Sequence, residues 1–172
     1  MHDHLALVGL MGSGKSTVGR ILADRLDRRL VDTDELVESA VGTTIAELFA
    51  ARGEPAFRRY ELDTLTRSLT RPEPSIIATG GGVVTTTEAR QALKIDADVV
   101  WLRASPESLA ARLHGDDTRP LIGDRDPLQV LSDLHEHRAP LYAEVADVIV
   151  DVDGLAPVEV ADRVLEMLGL AP

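Results

Sequence analysis

The stretch GLMGSGKSTVGR, residues 9–20, limits the fold of this chain more than any other feature. It places Gly9, Gly12 and Gly14, a lysine and several hydroxyl residues directly behind the apolar run Leu5, Ala6, Leu7 and Val8. Glycine weakens strand and helix interiors alike, so this much of it belongs at a junction that needs bare backbone. Beyond the junction, Val18, Ile21, Leu22 and Leu26 fall on one face of a helix. Gly9, Gly14, Lys15 and Ser16 fill the pattern G-x-x-x-x-G-K-[ST] at that strand-to-helix turn. Such a loop turns successive amides around phosphate oxygens, and the helix N-terminus adds its positive end at the same point. The residues expected around a nucleoside triphosphate are Gly12, Ser13, Gly14, Lys15, Ser16 and Thr17. Lys15 would reach the β- and γ-phosphates, and the Ser16 hydroxyl would ligate Mg²⁺.

The remainder of the chain continues the alternation begun there. Residues 5–9, 30–33, 75–79, 99–102 and 148–150 are short runs rich in Val, Ile or Leu, expected as strands buried on both faces. Helical stretches separate them, including one near the end with Ala161, Val164, Leu165 and Leu168 on a common face. The fold expected is α/β, a five-stranded parallel sheet flanked by helices. At 172 residues, without repeats or low-complexity tracts, one domain spanning residues 1–172 is expected. Residues 114–126, polar and punctuated by Gly115, Pro120 and Gly123, read as a loop.

Charge and composition narrow the partners. Lys and Arg number 18 against 29 Asp and Glu, a net charge of −11. That sign disfavours nucleic acid as a partner and makes each locally placed cation informative. The absence of cysteine excludes disulfides, thiolate metal sites and a cysteine nucleophile. The start, MHDHLALVGL, lacks a basic leader, and no apolar run reaches membrane-spanning length. A cytoplasmic protein with no membrane partner is expected.

Three further stretches carry chemistry. In LVDTDEL, Asp32 and Asp34 close the second strand, and residues two apart in extended chain share a face. Both carboxylates can then look toward the phosphate loop. Asp32 is placed to hold Mg²⁺ through water, and Asp34 to orient an acceptor hydroxyl and take its proton. Alternatively, or in addition, Asp34 is the N-cap of a helix starting near Glu35. EPAFRRYE, residues 54–61, puts Arg58 and Glu61 three apart on a helix, where they can pair. SIIATGGGVV runs a strand into Gly80, Gly81 and Gly82, which suits either a ligand lying on bare main chain or a tight turn.

Taken together, GLMGSGKST, DTDELVE, FRRYE, ATGGGVV, TRPL and HRAPLY, in this order and spacing from Leu5 to about Val150, resemble the shikimate kinases. The resemblance implies a fold like that of the nucleoside monophosphate kinases, with strand order 2-3-1-4-5 and a lid over the phosphates. It also implies transfer of the γ-phosphate of ATP, with Mg²⁺, to the 3-hydroxyl of shikimate in the pathway to aromatic amino acids. The acceptor-binding region would span about residues 33–61 and the lid about residues 114–126. By the same resemblance, Asp34, Arg58, Gly80, Gly81, Gly82 and Arg138 would bind shikimate, with Arg58 and Arg138 on its carboxylate. Phe49 and Phe57 would wall the ring, and Glu61 would steady Arg58. A planar carboxylate suits the arginine fork. Arg119 matches the lid arginine that closes on the phosphates, and Arg112 matches a position beside adenine.

The loop after the last strand, DVDGLAPVE, is acidic and apolar where the family often carries polar or basic residues. His135 and His137 are about 200° apart on a helix and cannot chelate one ion. His2 and His4 fall in a terminus expected to fray. Trp101 reads as core. A monomer is expected. Two rivals share the phosphate loop: another small-metabolite or nucleotide kinase, and a catalytically silent nucleotide-binding module.

Overall fold

The structure, a computed structural model, describes residues 2–113 and 126–170. Its sheet contains β1 (His4–Val8), β2 (Arg29–Asp32), β3 (Ser75–Ala78), β4 (Ala97–Arg103) and β5 (Val148–Asp151). They run parallel in the order β2-β3-β1-β4-β5. Every residue of β1 and β3 is buried, including His4 and Ser75 ahead of the apolar runs, as central strands covered on both faces require. The outer strands depart from expectation. Only Val31 of β2 and Val150 of β5 are buried, because each strand has a neighbour on one side only.

Seven α-helices connect and cover the strands among the described residues: α1 (Lys15–Leu26), α2 (Thr33–Val41), α3 (Ile45–Leu69), α4 (Thr87–Asp96), α5 (Pro106–Leu113), α6 (Pro127–Val145) and α7 (Pro157–Met167). The crossover from β1 through α1 to β2 and that from β3 through α4 to β4 travel in opposite directions along the sheet. Right-handed connections therefore place α1 and α4 on opposite faces. α7 packs on α1, and α3 and α6 pack with α4. Crossovers thus leave β1 and β3, which lie side by side with Leu7 opposite Ala78, in opposite directions. Two glycine-rich loops leave the carboxyl ends of these neighbours, where open α/β sheets form their binding crevice.

α3 is two helices joined at Gly53, whose φ of 73° and ψ of 172° are not helical. Pro55 restarts the helix, having no amide to lose in a first turn. The bend lets α2 and α3 enclose their own small apolar cluster of Val37, Leu48 and Phe57, flanked by Phe49 and Tyr60 and separate from the main core.

The N-terminal segment is held rather than frayed. β1 already includes His4, whose buried ring places Nδ1 2.8 Å from Ser75 Oγ and Nε2 3.1 Å from the Arg71 carbonyl. The His2 amide donates to Asp98 at 3.0 Å. Trp101 lies in the core with its ring 5.4 Å from that of Tyr142. Among the described residues, no helix is long and apolar enough to cross a membrane.

Candidate active site

The loop after β1 depends on backbone angles that side chains resist. Gly9, Gly12 and Gly14 have φ of 145°, 80° and 92°. A Cβ on Gly9 would also stand 2.6 Å from the Leu102 carbonyl oxygen. Lys15 opens α1 and folds back across the loop, donating to the carbonyls of Gly9 at 2.8 Å and Leu10 at 2.9 Å. The N-cap of α1 is Gly14, which has no side chain to occupy the first amides of the helix. Gly12, Gly14, Lys15, Ser16 and Thr17 line a cavity of about 340 Å³ there. Ser13 is buried inside the loop.

The Ser16 hydroxyl donates to Asp32 Oδ2 at 2.6 Å, which brings together the two residues expected to hold a metal. Asp32 Oδ1 accepts the Asp34 amide at 3.0 Å, so Asp32, not Asp34, is the N-cap of α2. The chain is helical from Thr33, and Asp34 belongs to the first turn of α2 rather than to an extended strand. Both carboxylates still line the cavity, because the helix start, not strand alternation, aims them. No group of three or more His, Cys, Asp or Glu side chains among the described residues could hold a metal ion. A hydroxyl and one carboxylate fit Mg²⁺ bound mainly by waters and phosphate oxygens.

A second cavity of about 550 Å³ opens beside the first. Phe49 and Phe57 form part of its wall, with ring centroids 4.8 Å apart. The Arg58 guanidinium lies 5.1 Å from the Phe57 centroid. Two carboxylates hold it: Nη1 donates to buried Glu61 at 2.7 Å, and Nε and Nη2 donate to Glu54 at 3.1 and 2.7 Å. Burial works against the charge on Arg58, but Glu61 and Glu54 outweigh it and hold the pKa above its ordinary value. Burial raises the Glu61 carboxyl, helped by the charge of Asp34 and opposed by Arg58 and Arg138.

The triple glycine completes this wall by close approach. A Cβ on Gly80 would stand 2.7 Å from Asp34 Oδ1 and would also meet Glu61, and one on Gly82 would collide with the Arg58 guanidinium. The Gly80 amide donates to Thr33 Oγ1 at 3.0 Å. From α6, buried Arg138 donates to the Gly81 carbonyl at 3.0 Å, and the Tyr142 hydroxyl donates to the same oxygen.

The two cavities share Met11, Ser16, Asp32, Asp34 and Gly81, and so form one crevice with Lys15 at one end and Arg58 and Arg138 at the other. Arg112 of α5 is exposed near the phosphate loop, donating to the carbonyls of Gly12 at 3.2 Å and Val152 at 3.4 Å. Arg119 lies outside the described residues, as does the expected lid apart from Asp126. Residues of the site that the sequence reading did not single out include Met11, Thr33, Glu54 and Tyr142. Glu54 and Tyr142 each stand four residues from an arginine already singled out, and Thr33 sits between the two aspartates.

A family model described as shikimate kinase matches residues 11–169. The chain belongs to the shikimate kinase family. It is 46% identical over 167 residues to the shikimate kinase of Symbiobacterium thermophilum, covering 96% of this chain and 95% of that one. The shikimate kinase of Alteromonas mediterranea is 42% identical over 167 residues, with 97% of each chain covered. Among solved structures, a shikimate kinase from Acinetobacter baumannii in complex with shikimate superposes with a TM-score of 0.93 at 38% identity, covering 96% of this chain and 92% of that one. Membership of the shikimate kinase family carries ATP-dependent phosphoryl transfer to a shikimate hydroxyl. It favours that activity over either rival.

Proposed function

We propose that this chain transfers the γ-phosphate of ATP to the 3-hydroxyl of shikimate, giving shikimate 3-phosphate. The observation that supports this most is the shared wall of the two cavities, which puts an anion cradle and an arginine pair at opposite ends of one crevice. The residues of the cradle, Gly12 to Thr17, bind the phosphates through their amides and Lys15. Arg58 and Arg138 take the acceptor carboxylate, with Glu61 and Glu54 fixing the plane of Arg58 and Phe49 and Phe57 bounding the ring. Gly80, Gly81 and Gly82 let the acceptor approach the main chain.

Asp34, in the wall common to both cavities, orients the hydroxyl and accepts its proton as the oxygen attacks in line. Lys15 stabilises charge spreading on the phosphoryl oxygens. Mg²⁺ held by Ser16 and Asp32 supplies further neutralisation of the phosphates when bound. Arg119 closes from the lid and adds a cation to the transferring group while water is excluded. Arg112 borders the adenine. The chain works as a single-domain monomer in the cytoplasm.

The test is ATP consumption by the purified chain with shikimate, without it, and with a panel of nucleoside monophosphates. Turnover that requires shikimate is the expected result. Turnover on a nucleoside monophosphate, or ATP binding that no acceptor converts into turnover, overturns the proposal.

A further inference from the structure

We propose that Tyr142 is a positioning residue for the acceptor half of the site, acting through the carbonyl of Gly81. This deepens the proposed function and rests on it. Tyr142 is fully buried, and its hydroxyl donates to the Gly81 oxygen that also receives Arg138 Nη1. A carbonyl oxygen has two lone pairs and can take both donors. The two side chains come from successive turns of α6, four residues apart, so one helix face holds one peptide of the loop after β3.

That peptide is where control matters. Three successive glycines form the least restrained backbone a chain can build. Gly81 belongs to the wall of both cavities, and a Cβ there would stand 3.1 Å from the Met11 amide nitrogen of the phosphate loop. Because the peptide is planar and trans, holding the Gly81 oxygen on α6 also sets the direction of the Gly82 N–H, in the wall of the larger cavity.

Tyr142 is a suitable anchor. Its ring lies 5.4 Å from that of Trp101 on β4, which ties the hydroxyl to the centre of the sheet. A phenol is a donor at neutral pH, and burial raises the Tyr142 pKa further from that range. Arg138, in contrast, has to serve a substrate as well. With Tyr142 holding the carbonyl, Arg138 can turn its remaining N–H groups to a carboxylate without releasing the loop.

The experiment compares the wild-type chain with Y142F, which keeps the ring and removes only the donor. Turnover is measured with each substrate varied in turn, and shikimate binding is measured by calorimetry. The expected result is a KM and a Kd for shikimate raised about three- to tenfold, the scale of one buried hydrogen bond. The KM for ATP should change little, and the unfolding midpoint should fall by only about 2–4 °C, the scale of one lost buried hydrogen bond. Equal rises for both substrates, or a lowered unfolding midpoint with shikimate binding unchanged, assign Tyr142 to packing and overturn the inference. A wild-type chain that leaves shikimate unphosphorylated overturns the functional reading and this inference with it. Wild-type turnover with an indistinguishable Y142F overturns the inference alone.

Discussion

The loops that follow β1 and β3 leave neighbouring parallel strands and are both built on glycine, yet they use it for different reasons. After β1, Gly9, Gly12 and Gly14 take positive φ, and the absence of a side chain is a matter of backbone angle. After β3, Gly80, Gly81 and Gly82 keep negative φ, and the absence of a side chain is a matter of room. Carboxylates of Asp34 and Glu61 press on Gly80, and the guanidinium of Arg58 presses on Gly82. A loop shaped by its own torsions can present amides to phosphates of many molecules. A loop shaped by the side chains around it carries the selectivity of those side chains. The first loop therefore fits the nucleotide, and the second the acceptor.

Substitutions can separate the two. Lys15→Ala should have the largest effect, lowering turnover by roughly 100-fold or more in a coupled ATPase assay. Near-normal turnover would remove the first loop from the chemistry. Gly82→Ala comes next. The nearest atoms its Cβ would meet belong to the Arg58 guanidinium, a side-chain end rather than backbone, so the main chain should keep its course while that group is pushed from its place. The KM for shikimate should rise about tenfold or more as charge-assisted bonds are displaced, with the KM for ATP unchanged.

Gly9→Ala should behave in the opposite way, since its Cβ meets a backbone carbonyl and its φ is one that L-residues avoid. A loss of about 1–3 kcal/mol, read from thermal unfolding, is expected along with weaker ATP binding. If Gly82→Ala lowered stability and Gly9→Ala weakened only shikimate binding, the contrast between the loops would be wrong.

The smallest effect is electrostatic. Burial raises the Glu61 carboxyl above its ordinary value, so its contribution to stability is full below the unfolded pKa and is lost as pH rises through the folded one. The unfolding midpoint of the wild type relative to Glu61→Gln should therefore climb as pH falls through the carboxylate range. A difference that shrinks on acidification would contradict that assignment.

Features determined by a few consecutive residues were legible in the sequence. The phosphate loop, the βα alternation and the parallel sheet follow from local spacing, and the family motifs added the strand order. Asp32 and Asp34 show where local reading fails. Their placement beside the phosphate loop was anticipated, but from an extended backbone. In the structure, the side chain of Asp32 captures the Asp34 amide and starts the helix two residues early.

His4 was read as part of a fraying end because its partners, Ser75 and Arg71, are about 70 positions away. Glu54 and Tyr142 were hidden for a related reason. Their spacing from Arg58 and Arg138 was visible, but the direction each side chain takes depends on the break at Gly53 and on the loop after β3. Burial on both faces was assigned to β2 and β5 because short apolar runs do not reveal which strands stand at the edge.

The five residues common to both cavities also bear on inhibitor design. A compound that joins a phosphate mimic to a cyclic carboxylate would need only a short tether, since the two compartments adjoin at those residues. Linking two weak fragments across such a gap can raise affinity on the order of 10²–10⁴-fold beyond either alone. Enzymes that share the nucleotide cradle but lack the paired guanidinium groups would engage only half of that molecule.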